Sequence, residues 1–240
     1  MSDLHLWRLA LDPARLAAIA RAQKIPASDE DHGCTIHALW CALFGKEHAP
    51  KPWWFDHRRL VLWAYAPTAL DPAAVALADP LYHAAVHWDQ SASKAMPVLA
   101  TNSRVAFDLR ACPVVRNGGR DQQRDTEHDY LLWRARRDGV AADTLDARAV
   151  YAEWLRERAW KTDAGATLDH AAVSGWSKPM KTGANVWRGR GDGRLRLPDV
   201  QFTGTLTITD TTAFAATLAR GLGRHRAFGF GMLLLKPVAG

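Results

Sequence analysis

The sequence feature that most restricts the fold is a glycine-rich run near the C-terminus, GLGRHRAFGFG, from Gly221 to Gly231. Apolar residues at helical spacing precede it, at Phe214, Leu218 and Leu222, and the strand-like MLLLKP follows it. A dinucleotide-binding fold places its glycines after a strand and before a helix, so the order found here excludes that fold. The chain also lacks the Gly-Lys-Ser/Thr sequence of the NTPase phosphate loop.

Positive charge flanks these glycines. Arg220, Arg224 and Arg226 stand beside backbone that glycine allows to approach an oxyanion closely. The pattern therefore favours a phosphate-containing ligand, although a glycine-rich turn packed against a neighbouring domain would give the same pattern. The residues in this run or next to it that we predict to bind such a ligand are Arg220, Gly221, Gly223, Arg224, His225, Arg226, Gly229 and Gly231.

The bulk composition is that of a folded basic protein. Hydrophobic residues make up 48% of the 240 residues, enough to fill a core, and the formal net charge is +6. A basic chain favours a polyanionic partner, nucleic acid first, although a basic protein without such a partner has the same composition. The cysteines give no disulfide framework, and no segment has the ~18 apolar residues of a membrane span. We therefore expect a soluble, cytoplasmic protein.

The first half of the chain alternates between strand and helix patterns. Strands are predicted from Leu4 to Leu11, from Leu60 to Ala66 and over 81–88. A helix is predicted over 36–44, where apolar residues recur at helical spacing, and a short one from Asp71 to Ala78. This order is close to a split β-α-β unit with one strand unassigned.

The second half repeats such elements with longer insertions. Alternating apolar residues predict a strand over 105–111, and a helix follows with Val150, Trp154 and Leu155 facing inward. The segment 177–198 is rich in Gly, Lys and Arg and is predicted to be an exposed basic loop. The strand-like QFTGTLTIT then leads to a helix that begins at Asp210 or Thr211.

The first strong helix carries a candidate catalytic group, His37, with Asp31 upstream as a candidate cap. A histidine near the edge of an apolar face is held by packing yet reaches a groove. Histidine titrates near neutral pH, so it can take a proton from a ribose 2′-hydroxyl or give one to a departing 5′ oxygen. A partly buried structural histidine has the same pattern. Cys34 and Cys41 share its helical stripe, but a spread of about 10 Å is too large for one zinc ion.

Three segments taken together resemble one family: the histidine helix, the strand FDLRACPVV, and the terminal QFTGTLTITD with LARGLGRHRAFGFGMLLLKP. The chain is similar to the CRISPR-associated endoribonuclease of type I-E Cascade, the CasE family, from end to end and loosely over 116–198. The resemblance implies an α+β fold of tandem ferredoxin-like (RRM-like) domains, with antiparallel sheets and helices on one face. We expect these domains to span 1–92 and 93–240.

The resemblance also implies an activity and partners. It implies a metal-independent endoribonuclease without a cofactor, which cuts CRISPR precursor RNA at the base of the repeat hairpin. The products would carry a 2′,3′-cyclic or 3′ phosphate and a 5′ hydroxyl, and the enzyme would stay bound to the mature crRNA. Its partners would be the CRISPR RNA repeat hairpin and other Cascade subunits, namely the backbone and 5′-end CRISPR-associated proteins. Target DNA would be met only indirectly through the complex, and no membrane is implied.

Carried onto this chain, the resemblance makes His37 the catalytic histidine. Members often have tyrosine three residues earlier, where this chain has Cys34, so His32 is a further candidate helper beside Cys34. The substitution keeps open a second reading, a non-catalytic subunit that binds an RNA hairpin. A third is a small-molecule enzyme that binds a nucleotide at the glycines. A wider basic surface is predicted from composition and position at Arg110, Arg116, Arg120, Arg124, Arg156, Arg158 and Lys161.

Overall fold

The computed structural model describes residues 4–25, 32–116, 127–176, 185–186, 195–196 and 198–238. The helices are α1 (Pro13–Ala22), α2 (Gly33–His48), α3 (Pro80–His83), α4 (Tyr130–Asp138), α5 (Ala147–Trp154) and α6 (Thr211–Arg220). The strands are β1 (His5–Leu11), β2 (Trp53–Asp56), β3 (Val61–Ala66), β4 (Val86–Ala95), β5 (Arg104–Ala111), β6 (Val114–Arg116), β7 (Glu127–Asp129), β8 (Ala166–Trp176), β9 (Asn185–Val186), β10 (Leu195–Arg196), β11 (Val200–Ile208) and β12 (Leu233–Lys236).

The first four strands form one antiparallel sheet in the order β2-β3-β1-β4. Helices α1 and α2 connect its first two strands, and α3 connects the last two, so the sheet has the ferredoxin-like order 4-1-3-2. On β1, Trp7, Leu9 and Leu11 alternate toward a core that they share with Ile36 and Leu39 of α2. A strand period of two residues puts these side chains on one face, which the helices then cover.

The second sheet has the order β12-β5-β11-β8, which is again fourth, first, third, second among its own strands. The strand predicted over 105–111 is confirmed as β5, and Phe107, Leu109 and Ala111 of its predicted inward face are buried, although Arg110 of the opposite face is buried as well. Helix α5 lies on this sheet, with the Trp154 ring stacked 6.2 Å from the ring of Phe202 on β11. Two antiparallel sheets of this topology, each with its helices, confirm the predicted α+β ferredoxin-like fold class.

The two sheets share packing through the second face of the first sheet. Trp54, Trp63 and Tyr65 project to the side opposite α1 and α2 and join the core of the second sheet. The Tyr65 hydroxyl donates to the carbonyl of Leu233 on β12 at 2.8 Å. A residue between two sheets is buried from both sides, which explains why β3 is apolar at consecutive positions rather than alternating.

Two helices begin differently from the sequence expectation. Helix α1 was not predicted; Asp12 caps it by accepting from the amides of Ala14 and Arg15, and Pro13 occupies its first position. The predicted helix over 36–44 is confirmed within α2, but Asp31, the expected cap, lies outside the described residues. His32 occupies the N-cap position in a left-handed backbone conformation, without a side-chain capping bond.

Two predicted elements of the first half need correction. Asp71 to Ala78 contains only a short 3-10 turn, Pro72–Val75. The strand predicted over 81–88 begins at Val86, because Asp79 caps the helical turn α3 before it. The unassigned strand is β2. The boundary predicted between residues 92 and 93 falls inside β4, whose last residue is Ala95; the division into two domains stays a prediction.

Candidate active site

His37 lies on α2 in a pocket that also involves the glycine-rich segment. Its half-buried ring lies 4.8 Å from the ring of Phe228, centroid to centroid, and Phe228 belongs to a 3-10 turn inside that segment. On the other side, the Cys41 sulfur is 3.8 Å and 3.9 Å from the two ring nitrogens. The residues lining the pocket are Gln23, Lys24, Ile25, Cys34, His37, Ala38 and Phe228. The fold therefore brings the predicted histidine and the predicted loop into contact.

The surroundings of His37 favour its neutral form. Burial lowers the pKa of His37 below its ordinary value, and the positive charges of Lys51 and Lys46 lower it further. The imidazole is therefore neutral near pH 7 and has a ring nitrogen that can accept a proton. Burial also raises the pKa of the Cys41 thiol, so this neighbour stays protonated and uncharged beside the ring.

The two candidate helpers of His37 occupy different places. Cys34 lines the same pocket as His37, one helical turn away. The ring of His32 packs instead with Phe55 and His57, at centroid distances of 5.7 Å and 5.6 Å, and does not line that pocket. The structure thus brings Cys34, but not His32, to the candidate catalytic histidine.

The glycines of the terminal segment serve its packing against the first sheet. Gly229 has φ +87°, and a Cβ placed there would lie 2.6 Å from the Trp53 ring. A Cβ at Gly221 would lie 2.7 Å from Pro52. The Trp53 indole also donates to the carbonyl of Ala227 at 3.1 Å. The structure therefore supports the alternative of a glycine-rich turn packed against its neighbour.

The other two glycines, Gly223 and Gly231, also lie close to protein atoms that a side chain would meet. A Cβ at Gly231 would approach the Leu222 carbonyl to 2.3 Å, and one at Gly223 would lie 3.1 Å from Trp154 of α5. The Leu222 amide donates to the Gly231 carbonyl at 2.9 Å, which closes the segment into a loop. Each glycine is thus close to protein atoms, and the prediction that it contacts phosphate stays untested.

The charged residues of the glycine-rich segment differ in their bonding partners. Arg224 Nε donates to Glu127 at 2.6 Å, and His225 Nε2 lies 2.6 Å from the other oxygen of the same carboxylate. The Arg226 guanidinium donates to the carbonyl of Arg220. The Arg220 side chain is exposed. Two of the side chains predicted to bind an anion, Arg224 and His225, therefore already have the Glu127 carboxylate as their partner.

Arg110 has a structural role that the sequence prediction did not include. Its guanidinium forms two parallel bonds to Asp199, at 2.9 Å and 2.8 Å, and lies 4.7 Å from the centre of the Phe230 ring. Its side chain is only 11% exposed. A bidentate carboxylate partner offsets the charge of Arg110, and its place in an anion-binding surface stays a prediction.

The remaining predicted cations that the structure describes lie at the surface. Arg156, Arg158 and Lys161 follow α5 and are exposed, as the helical pattern predicted, with the Arg158 guanidinium 5.5 Å from the ring centre of Trp133. Arg116 ends β6 with its side chain 45% exposed, 4.0 Å from Glu127. Arg120, Arg124 and most of the predicted basic loop over 177–198 lie outside the described residues.

Four residues of the site escaped the sequence analysis: Phe228, Lys46, Lys51 and Glu127. Phe228 lies between Ala227 and Gly229, and a large apolar side chain in a run of glycines and arginines was the one local signal for it. The other three act through partners that are distant in the chain; Glu127 and His225, for example, are 98 positions apart. Such pairings follow from the fold and have no local sequence signature.

Two general properties of the described residues bear on the site. Among them, no group of three or more His, Cys, Asp or Glu side chains is placed to hold a metal ion. None of the helices in the described part of the chain combines the length and hydropathy that a membrane span requires.

Comparison with known proteins identifies relatives. A family model described as CRISPR associated protein matches residues 4–237. The chain is similar to Thermus thermophilus Cse3 bound to an RNA representing a pre-cleavage complex (TM-score 0.65, 22% identity, covering 98% of this chain and 100% of that one). It is also similar to Cas6e from Escherichia coli K-12 (TM-score 0.57, 18% identity, 98% and 100% covered). A chain of a pre-nicking CRISPR RNA-guided surveillance complex matches with TM-score 0.55, 18% identity, and 98% and 100% covered. No curated protein gives a significant match.

Proposed function

The chain belongs to the family of CRISPR-associated proteins, since the family model spans nearly all of it, and from this premise we propose that it is a metal-independent endoribonuclease. Its substrate would be CRISPR precursor RNA, cut at the base of the repeat hairpin. The observation that carries the proposal is the contact of His37 with Phe228, because it joins the histidine predicted to carry the chemistry to the glycine-rich run predicted to bind phosphate. The structural relatives described as RNA-bound Cse3 and as Cas6e support the same substrate class.

The reaction we propose is a transesterification within the RNA strand. A ring nitrogen of neutral His37 takes the proton of a ribose 2′-hydroxyl, and the 2′ oxygen bonds to the adjacent phosphorus. The bond from that phosphorus to the 5′ oxygen breaks, and the departing oxygen takes up a proton from the imidazolium or from solvent. The products are a 2′,3′-cyclic phosphate and a 5′ hydroxyl, and water can open the cycle to a 3′ phosphate.

Two features of the pocket support this role for His37. Its lowered pKa keeps the imidazole unprotonated at neutral pH, as a base requires. Lys46 and Lys51 are close enough to affect that pKa, so they also create a positive potential where the phosphate would gain charge in the transition state. Cys34 stands where a phenol is common in the resembled family, and a thiol reaches less far, so we expect slow cleavage.

Binding of the hairpin would depend on shape and phosphate contacts. A-form RNA hides its base edges in a deep major groove, so cations that meet the backbone dominate affinity. The described candidates for such contacts are the exposed Arg116, Arg156, Arg158, Lys161 and Arg220. We propose that Arg224 and His225 support the segment from within and contribute less to this surface.

The proposal extends to the fate of the RNA after cleavage. The enzyme would keep its hairpin product and thereby become a subunit of a Cascade complex, beside the backbone and 5′-end subunits. The match to a chain of a surveillance complex supports this assembly. Target DNA would then meet the protein only through the complex, in the cytoplasm and away from any membrane.

The test uses the repeat hairpin in EDTA under single-turnover conditions. Wild type should cut at one position, and His37→Ala should lose cleavage by about 100-fold or more, because general-base catalysis contributes on that order. His83→Ala is the matched control, since His83 is also half-buried and packs on an aromatic ring, 5.2 Å from Trp88. Metal-dependent cutting, or equal cutting by the His37 variant and the control, would refute the proposed mechanism.

Cys34 stands where members of the resembled family often have tyrosine, and this difference favours a second candidate function, a subunit that binds the RNA hairpin without cutting it. That function predicts tight, salt-sensitive binding of the hairpin and an intact strand at every pH. A binding assay read afterwards on a denaturing gel separates the two candidates, because only the enzyme leaves two fragments.

A further inference from the structure

Glu127 is a carboxylate buried beneath the glycine-rich segment. Its side chain is 0% exposed, and it lies on β7, which pairs with β6 in a two-stranded ribbon. Arg224 Nε and His225 Nε2 each approach one of its two oxygens to 2.6 Å, and Arg116 lies 4.0 Å away. A charge in this position is stable only while such partners remain, because removing it from water costs several kcal/mol.

The partners of Glu127 lead directly to the pocket of His37. Arg224 and His225 immediately precede the 3-10 turn Arg226–Phe228, and the Phe228 amide donates to the His225 carbonyl at 2.8 Å. The His225 side chain is only 2% exposed, so its ring is fixed by the protein on all sides. The turn that begins here presents the Phe228 ring to His37.

A second anchor holds the far side of this turn. The Trp53 indole donates to Ala227, and the Trp53 ring fills the space beside Gly229. Between Glu127 on one side and Trp53 on the other, the position of Phe228 is determined by the protein. If either anchor loosens, Phe228 can move away from the imidazole.

We propose that Glu127 is a positioning residue for His37. It acts through Arg224, His225 and the turn that carries Phe228, and it touches neither RNA nor the reacting atoms. The inference rests on the proposed function for its effect on cleavage. Its structural part concerns the cover on the imidazole and can be measured without RNA.

The test compares Glu127→Gln with wild type. Glutamine keeps the shape and one acceptor oxygen but removes the charge that binds Arg224 and His225. Single-turnover cleavage should fall by about 10-fold to 100-fold, since small displacements in an active site have effects of that size. The dissociation constant of the uncleaved hairpin should change by less than about threefold, because no exposed cation is lost.

A spectroscopic measurement separates positioning from a general loss of structure. The pKa of His37, followed by NMR titration of its ring protons, should rise toward its ordinary value in the variant, because Phe228 no longer shields the ring. Glu153→Gln is the matched control. Glu153 accepts from Tyr130 at 2.8 Å and is paired with Arg134, and neither of these partners belongs to the glycine-rich segment. The control should leave rate, affinity and the His37 titration unchanged.

A second variant, Phe228→Ala, keeps the proposal testable should E127Q fail to fold. It should slow cleavage and raise the His37 pKa by itself, and E127Q should add little to it, since both act on one contact. Unchanged cleavage and titration in F228A, additive effects of the two changes, or equal losses of rate and affinity in E127Q would each overturn the proposal. If wild type does not cut RNA, the proposed function fails, but the His37 titration still tests the positioning.

Discussion

Replacement of Gly229 by alanine tests whether the glycine-rich segment is fitted to Trp53. The residue has φ +87°, and the added Cβ would lie 2.6 Å and 2.8 Å from two atoms of the Trp53 ring. Gly139 offers a matched control, because its φ is +69° and a Cβ added there would have no other atom within 4 Å. Both variants introduce the same backbone strain, and only G229A also overfills its site.

The expected magnitudes follow from these two differences. A non-glycine residue in the left-handed region costs about 1–2 kcal/mol, and this cost applies to both variants. Overpacking adds about 1–3 kcal/mol where no space exists, and this cost applies to G229A alone. We therefore expect G139A to lower the free energy of unfolding by about 1–2 kcal/mol and G229A by about 2–5 kcal/mol.

Urea unfolding of the two variants measures the stability difference, and single-turnover cleavage measures its effect on the site. G229A should cut more slowly at concentrations of urea where it is fully folded, since relief of the clash moves the turn that carries Phe228. G139A, at the end of α4, should cut like wild type. Equal destabilisation by both changes, together with unchanged cutting by G229A, would show that the segment is not fitted to Trp53.

Two further predictions concern pH. Cleavage should rise with pH and reach a plateau, with a midpoint below the ordinary histidine pKa, because His37 acts when neutral and its pKa is lowered. Lys51→Ala should move this midpoint up, because the Lys51 charge helps to lower the pKa of His37, and the control Lys94→Ala should leave it unchanged. The measurement is the pH–rate profile of wild type and the two variants. Burial raises the pKa of Asp129 to about 6 from 3.8, so the folded state binds this proton more tightly and stability falls as pH rises between those values. Urea unfolding at several pH values should show a loss of about 3 kcal/mol across that window in wild type that Asp129→Asn lacks; a parallel pH dependence in both proteins would contradict this assignment.

Strands with a strong apolar pattern were predicted, including the edge strand β12, whereas two other edge strands were missed. Strand β5 is central in its sheet, and its alternation of apolar residues is clear. Strands β2 and β8 were missed, and both are edges. An edge strand pairs on one side only, and most described side chains of β8 are not buried, so its sequence lacks a strong period of two.

The sequence predicted those parts of the site that have a recognisable pattern within a few consecutive residues. His37 and the glycine-rich run each have a pattern within a few residues, and the fold brings the two together. The roles of the surrounding charges were not predictable in that way. Trp53 and Ala227 are bonded across 174 positions, and Arg110 meets Asp199 across 89, so these partners come together only in the folded chain.

The same pairings divide the basic residues near the segment into two groups with different consequences. Arg110 lies at the base of the segment, where its own carbonyl accepts from the Gly231 amide at 2.7 Å while Asp199 holds its guanidinium. Arg224 is held by Glu127, whereas the Arg220 side chain is exposed. A cation with a protein carboxylate as its partner shapes the pocket, so its loss should change the rate of cleavage. A cation that faces water displaces counterions from the RNA on binding. Its loss should therefore weaken the affinity for RNA and make that affinity less dependent on salt concentration.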